Sequence, residues 1–235
     1  MRMITFIVIA TLSLLLISCD LSTNRNNNLT TDSVVIDNAE WETEEFMSNS
    51  DDFEKDLSDK AKKGNAGALK DLGMRFLHPY KFNSKLKENE ELAISLLTKA
   101  SNKNDAEAQT FLSGVYIGHY GSGKFKDVLE GHKWLERAAE NGFPQAENRL
   151  GYNYAFGADG YPQDFSEALK WRKRFAVKGS TPAHVETQYN VGWQYWEGKG
   201  VEQNKVEAMK WFKMAAENGD ADSQRIIEKY GFLLE

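Results

Sequence analysis

The line "EAMKWFKMAAENG" occupies residues 207–219, and the chain writes it three times with small changes. It stands as "EALKWRKRFAVKG" at 167–179 and as "EGHKWLERAAENG" at 130–142. Each copy keeps a glutamate, a Lys-Trp pair, a small residue and a final glycine. Recurrence at a near-constant period marks a stack of like structural units, each needing its neighbours to bury its core. A single enzyme core has no such need.

The residues around the line identify it as a helix. Asp127, Asp164 and Asn204 each precede a glutamate by three places: Glu130, Glu167 and Glu207. This is a capping-box pattern, in which side chains satisfy the first free amides of a helix. Asn89 holds the same place in an earlier unit, without the glutamate. Seven residues after each cap stands Leu96, Trp134, Trp171 or Trp211. Ala100, Ala138, Phe175 and Ala215 continue that face. Asn104, Gly142, Gly179 and Gly219 then stop the helices as residues suited to a left-handed cap. The tryptophans are expected to be buried against neighbouring units.

Ahead of each such helix lies another. Ala68, Ala108, Ala146, Thr187 and Ser223 recur at spacings of 40, 38, 41 and 36. Four residues on come Leu72, Leu112, Leu150, Val191 and Ile227. Next come Gly73, Ser113, Gly151 and Gly192, until Glu228 breaks the series. Phe76, Tyr116, Tyr154 and Tyr195 follow. Positions i, i+4 and i+8 form one helical stripe, and the small residue admits a close neighbour. Glycine inside a helix costs about 1 kcal/mol against alanine, so its recurrence means that packing outweighs that cost. The expected fold is all-α: an α-solenoid of antiparallel helix pairs over 55–235, about four pairs plus a terminal helix.

These residues resemble the Sel-one-like repeat, a tetratricopeptide-like family with the pattern A-x-x-x-L-G-x-x-Y, a glycine-containing loop with an aspartate, then A-x-x-W-x-x-x-A-A-x-x-G. Residues 146–179 and 187–219 fit well, and the second unit fits with Ser113 for glycine. The first unit is degenerate in its loop, "LHPYKFNSKLKENEE", and the last is cut to one helix. The resemblance implies a solenoid whose concave face, lined by the first helices, binds other proteins.

The leading segments read differently. The chain has 235 residues and a net charge of −6, but residues 20–54 alone hold ten acidic side chains against one basic, Arg25. The body is therefore close to neutral and has no long basic face, which argues against nucleic acid as a partner. Residues 19–54 read as an acidic flexible tether. Its aromatics Trp41, Phe46 and Phe53 are open to docking on the first repeat or to recognition. Residues 1–18 read as a secretory signal: Arg2, an apolar run, then Ser18. "Leu16-Ile17-Ser18-Cys19" resembles the lipobox of bacterial lipoproteins, which implies cleavage before Cys19 and lipidation of it, hence a membrane anchor rather than a span. Cys19 is the only cysteine, so disulfides hold no part of the fold. Asp20 resembles an inner-membrane retention signal in enteric lipoproteins; inner versus outer membrane stays open. The expected place is the bacterial envelope, facing the periplasm.

No catalytic constellation is visible. "GHYGSGKF" (118–125) has phosphate-loop spacing as far as Lys124, but Phe125 stands where Ser or Thr would hold Mg²⁺, and no strand precedes it. His78, His119, His132 and His184 form no i,i+4 pair and have no thiol partners, so no metal site is expected. The carboxylates Glu44–Glu45 and Asp51–Asp52 sit in the tether, where solvated charge is expected. No G-x-S-x-G occurs. An enzyme, such as a β-lactam hydrolase by analogy with disulfide-linked family members, is the weaker reading, and no cofactor is expected.

The expected function is a lipid-anchored protein-binding module. Its sharper form is an immunity protein that neutralises a toxic secreted effector; the alternative is an envelope scaffold or regulator of complex assembly. Groove residues are expected one before and two after the small residue of each first helix, one after the glycine, and one after the aromatic. These positions select Lys70, Met74, Glu107, Thr110, Gln145, Asn148, Tyr152, Glu186, Tyr189, Trp193, Trp196 and Arg225. Tyr189, Trp193 and Trp196 share one helical face. That Trp193 and Trp196 pack against the following unit or cap the solenoid's end is the other reading.

Overall fold

The computed structural model describes residues 51–82, 86 and 88–231. Ten α-helices follow one another among these residues, and no strand occurs. They are α1 (Asp52–Lys62), α2 (Ala66–Leu77), α3 (Glu90–Asn102), α4 (Ala106–Ile117), α5 (Val128–Glu140), α6 (Pro144–Phe156), α7 (Phe165–Ala176), α8 (Pro182–Glu197), α9 (Lys205–Glu217) and α10 (Ala221–Tyr230). Each helix packs on its chain neighbours. The four pairs α2–α3, α4–α5, α6–α7 and α8–α9 are the units read from the sequence.

The caps form where expected. Asn89, Asp127, Asp164 and Asn204 accept hydrogen bonds from the amides of Leu92, Glu130, Glu167 and Glu207. The reciprocal half of the capping box is replaced. The cap's own N–H donates instead to the carbonyl of the stripe aromatic: Asn89 to Phe76, Asp127 to Tyr116, Asp164 to Tyr154 and Asn204 to Tyr195, at 2.8–3.0 Å. The glutamates turn outward to lysines three residues on, Lys133, Lys170 and Lys210. One bond thus fixes where the second helix of every unit starts relative to its first.

The stripe glycines work by proximity. A Cβ on Gly73 would stand 3.1 Å from the Leu97 side chain, on Gly151 2.9 Å from Arg172 Cγ, and on Gly192 2.6 Å from the Phe212 ring. Trp134, Trp171 and Trp211 are buried, as are Ala100, Ala138, Phe175 and Ala215. Asn104, Gly142 and Gly219 end their helices with positive φ. Gly179 does not. Its place is set by the His184 ring, 3.1 Å from where its Cβ would be and stacked on Phe175 at 4.1 Å.

Two expectations need correction at the front of the body. The helical body starts at Asp51, not at residue 55. Asp51 caps α1, and with Glu54 it makes the one complete capping box among the described residues. Asp51 is therefore structural, and the exposed Phe53 ring lies 4.9 Å under the Arg75 guanidinium. α1 behaves as a second helix without a first. Leu57 and Ala61 are buried toward α2. Eight residues before the left-handed Gly64, where α5 and α9 carry tryptophan, it carries Asp56, exposed and paired with Lys60 at 2.6 Å. A polar outer face is what ends a solenoid in water. Cys19, the 1–18 segment, Trp41 and Phe46 lie outside the described residues.

Candidate functional site

The first helices bury their stripe and leave two further positions outward. Glu107, Gln145 and Glu186, one before the small residue, are exposed; so are Asn148 and Arg225, two after it. Between α6 and α8 these positions come together. Gln145, Asn148 and Tyr152 of α6 face Glu186 and Asn190 of α8 across a groove of about 490 Å³, and Arg172 of α7 lines it from behind. Tyr152 is 57 % exposed and Phe156, one turn on, 63 %. Their rings touch at 4.7 Å. Two adjoining exposed aromatics above a polar groove are the kind of surface that carries binding energy in protein interfaces.

The charges of the groove are unequal. Arg149 is committed: it donates to Asp159 Oδ2 through Nε at 3.3 Å and Nη2 at 3.1 Å. Asp159 also accepts from His119 Nε2 at 2.7 Å and from the Asn153 amide at 3.1 Å. Its burial works against ionisation, but the bonds from His119 and Arg149 prevail and hold its carboxyl below the usual range. His132 donates to the Asp159 carbonyl at 2.7 Å and stacks on Tyr161 at 3.7 Å. Arg172 lacks such a partner. It donates from Nη1 to Gln194 at 3.0 Å, and no carboxylate of the described residues lies within ion-pair distance. Burial lowers its pKa, and the charge of Glu186 opposes that from farther off. A guanidinium remains charged at neutral pH even so.

The remaining expected site residues are placed elsewhere. Lys70 pairs with Glu107 at 2.5 Å and Asp71 at 3.3 Å across α2 and α4. Burial opposes its charge, yet the bond to Glu107 and the two carboxylates raise its pKa. Arg225 is exposed on α10, paired with Asp222. Tyr189, Trp193 and Trp196 are half-buried around Phe212, Ile226, Ile227 and Tyr230. Trp196 meets Tyr230 at 5.0 Å, and Trp193 meets Phe212 at 5.5 Å. The two tryptophans belong to the packing of the last helices, not to an open face. The position one after the aromatic is interior in the earlier units, where Leu77, Ile117 and Ala155 are buried. Met74, one after its glycine, is buried as well.

Other loops are spoken for. Ser122 donates to Glu90, and Lys124 pairs with Glu91 at 2.5 Å. The hydroxyl and the lysine that a phosphate would need are thus held by two carboxylates at the start of α3. Among the described residues no three His, Cys, Asp or Glu side chains are grouped to hold a metal, and no helix is long and apolar enough to cross a membrane. Sequence reasoning missed Phe156, Arg149 and Arg172. For Arg172 the signal was present: Leu97, Leu135 and Phe212 occupy its place after the tryptophan position in the other units, all fully buried.

A stack of capped helix pairs with a groove between first helices defines an α-solenoid of the protein-binding kind. The Sel1 repeat family matches residues 68–105, 106–143, 144–176 and 185–220, and the chain belongs to that family. It is similar to chitin synthase regulatory factor 3 of Schizosaccharomyces pombe, 34 % identical over 97 residues, which is 41 % of this chain and 10 % of that protein. It is also similar to chitin synthase regulator SKT5 of Saccharomyces cerevisiae, 30 % identical over 143 residues, or 60 % of this chain and 19 % of that protein. The chain thus spans a fifth or less of these curated relatives. Among solved structures, a Sel1 repeat protein from Oxalobacter formigenes superimposes with a TM-score of 0.60 at 25 % identity, over 75 % of this chain and 48 % of that one. The protective antigen c5321 of uropathogenic Escherichia coli, which displays an SLR fold, gives 0.57 at 29 %, over 72 % and 34 %. Proteins of this repeat class act by binding other proteins, and that coarse role holds here.

Proposed function

We propose that this chain is a lipid-anchored module of the bacterial envelope, held through Cys19 and facing the periplasm, that captures a partner protein in the groove between α6 and α8 and controls it by capture. The observation that carries the reading is the exposed Tyr152–Phe156 pair beside a groove of amide and charged side chains. Neutralisation of a toxic secreted effector is the sharper form. Control of a synthase or of complex assembly is the second form, and the regulator names of the two curated relatives favour it.

Photocrosslinking in the native host tests it. A crosslinking amino acid at 152 is expected to trap one protein, while the same amino acid at Lys213, exposed on α9, traps none. Identical patterns at the two positions would refute the groove. A trapped secreted hydrolase or pore-former selects immunity; a synthase or assembly factor selects regulation. Fractionation of Cys19→Ser tests the anchor, since unchanged membrane association and mass would remove it.

A further inference from the structure

In three of the four units, the residue after the tryptophan position is apolar and fully buried: Leu97, Leu135 and Phe212. Leu97 and Phe212 lie under the first helix of their own units, against the stripe glycines Gly73 and Gly192. In the third unit this residue is Arg172, its Cγ against Gly151. We infer that Arg172 is a specificity anchor that receives an Asp or Glu side chain from an extended segment of the partner protein; the inference rests on the groove reading above.

Three observations lead there. First, the cation costs the third unit an apolar contact that its sister units keep, and among the described residues no carboxylate lies within ion-pair distance of it. Second, it is held ready. Gln194, buried, accepts from Arg172 Nη1, while its own amide nitrogen donates to the Phe165 carbonyl at 2.9 Å and to the Lys199 carbonyl at 3.4 Å. One edge of the guanidinium is fixed by a side chain that is itself fixed. The Nε–Nη2 edge, the fork that matches a carboxylate in two parallel bonds, has no partner among the described residues. Third, the position fits an internal side chain. The α6 wall of the groove runs from Gln145 to Phe156, about 17 Å at the helical rise, enough for about five extended residues. Gly151, over Arg172, stands near the middle of that wall, so an acid meeting it has chain on both sides. Asn148, Gln145 and Asn190 supply amides for the peptide backbone there.

The other charged side chains lining the groove are Arg149 and Glu186. Arg149 is neutralised by Asp159. Glu186 lines the same groove, and its negative charge favours the charged form of Arg172. It therefore competes with an incoming carboxylate, and its removal should strengthen binding.

The test is selection of the full-length protein against a random library of octapeptides with both ends blocked, followed by affinity measurement of the selected peptides. Wild type is expected to enrich Asp or Glu at one internal position. Arg172→Leu, which restores the residue type of the sister units, should keep the melting curve yet lose that enrichment, with affinity for the selected peptide down about tenfold or more. Arg172→Lys should fall between, having lost the fork. Glu186→Gln should raise affinity. Selected peptides without acidic preference, or equal selection by Arg172→Leu, would overturn the inference while leaving the groove reading intact if Tyr152→Ala still abolishes binding. Binding only of peptides with a free C-terminus would assign Arg172 to a chain end instead, and no selection at all would sink both readings.

Discussion

The grooves beside α8 start from the same repeat positions and end differently. Toward α6 the position after the glycine is Tyr152, exposed, and the groove stays open over Arg172. Toward α10 it is Trp193, folded onto Phe212, with Trp196 covered by Tyr230. The same scaffold thus has two outcomes. Toward α10, Tyr189, Trp193 and Trp196 pack on Phe212 and on the helix that follows. Toward α6, Tyr152 and Phe156 stay exposed beside Arg172.

The largest effect should come from what the two regions share. Trp171 is buried with Leu150 and Tyr161, and Trp211 holds the same place in the next unit. Trp171→Ala should cost about 3–5 kcal/mol in a denaturant titration, with a similar loss for Trp211→Ala. A Trp171→Ala protein with the wild-type melting curve and no partner binding would make the tryptophan a contact residue and dissolve the distinction between scaffold and groove.

Next in size is the contrast itself. Trp196→Ala removes a half-buried ring from the packing of α8, α9 and α10, and should cost about 1–3 kcal/mol, below the value for a fully buried ring. Tyr152→Ala touches little and should change stability by no more than about 0.5 kcal/mol. Its effect belongs to binding, at about 2 kcal/mol as for interface aromatics. If Trp196→Ala melts like wild type and Tyr152→Ala does not, the assignments are reversed.

What could be read from the residues divides along the same line. Caps and buried tryptophans were readable because cap chemistry is local and a helical stripe needs only its own periodicity. The groove was half-read. The exposure of Gln145, Asn148, Tyr152 and Glu186 was legible, since they sit off the buried stripe. Trp193 and Trp196 were misplaced, because whether a flank position is covered depends on the next helix, and one helix's periodicity does not contain that. α1 was hidden because it has neither tryptophan nor glycine stripe and starts inside an acidic stretch. Arg172 was visible only by comparing units position by position, as the one charge in an otherwise apolar column.

A smaller effect probes the closeness of each pair. Gly192→Ala would put a methyl 2.6 Å from a Phe212 ring carbon that Trp193 and Trp196 hold in place. Overpacking of that kind costs about 1–3 kcal/mol. Gly151→Ala meets Arg172 Cγ at 2.9 Å, in a methylene stem bordered by an open groove, which can yield while the guanidinium keeps its bond to Gln194. The helix gains about 1 kcal/mol from alanine, so the net change should lie within about 1 kcal/mol of zero. Equal thermal shifts for the two variants would mean that the groove over Arg172 is as tightly filled as the aromatic cluster.

The smallest effect concerns pH and the other arginine of the open groove. Asp159 ties His119 from the loop after α4 to Arg149 and Asn153 of α6. Its folded pKa is depressed, so its contribution to stability is complete above the ordinary aspartate range, near 3.9. It is lost as pH falls through the lower folded value. Stability of the wild type should therefore fall in that acid window by more than that of Asp159→Asn. Asparagine is the informative replacement. Residue 159 has φ near +54°, and asparagine tolerates that conformation, so charge is removed without backbone strain. At neutral pH the variant leaves Arg149 without its counter-charge at the edge of the groove. Its affinity for an acidic peptide should then rise modestly, since a second cation now faces the ligand. A variant with the wild-type acid profile would show that His119 and Arg149 hold Asp159 by geometry alone, and that the asymmetry between Arg149 and Arg172 is not electrostatic.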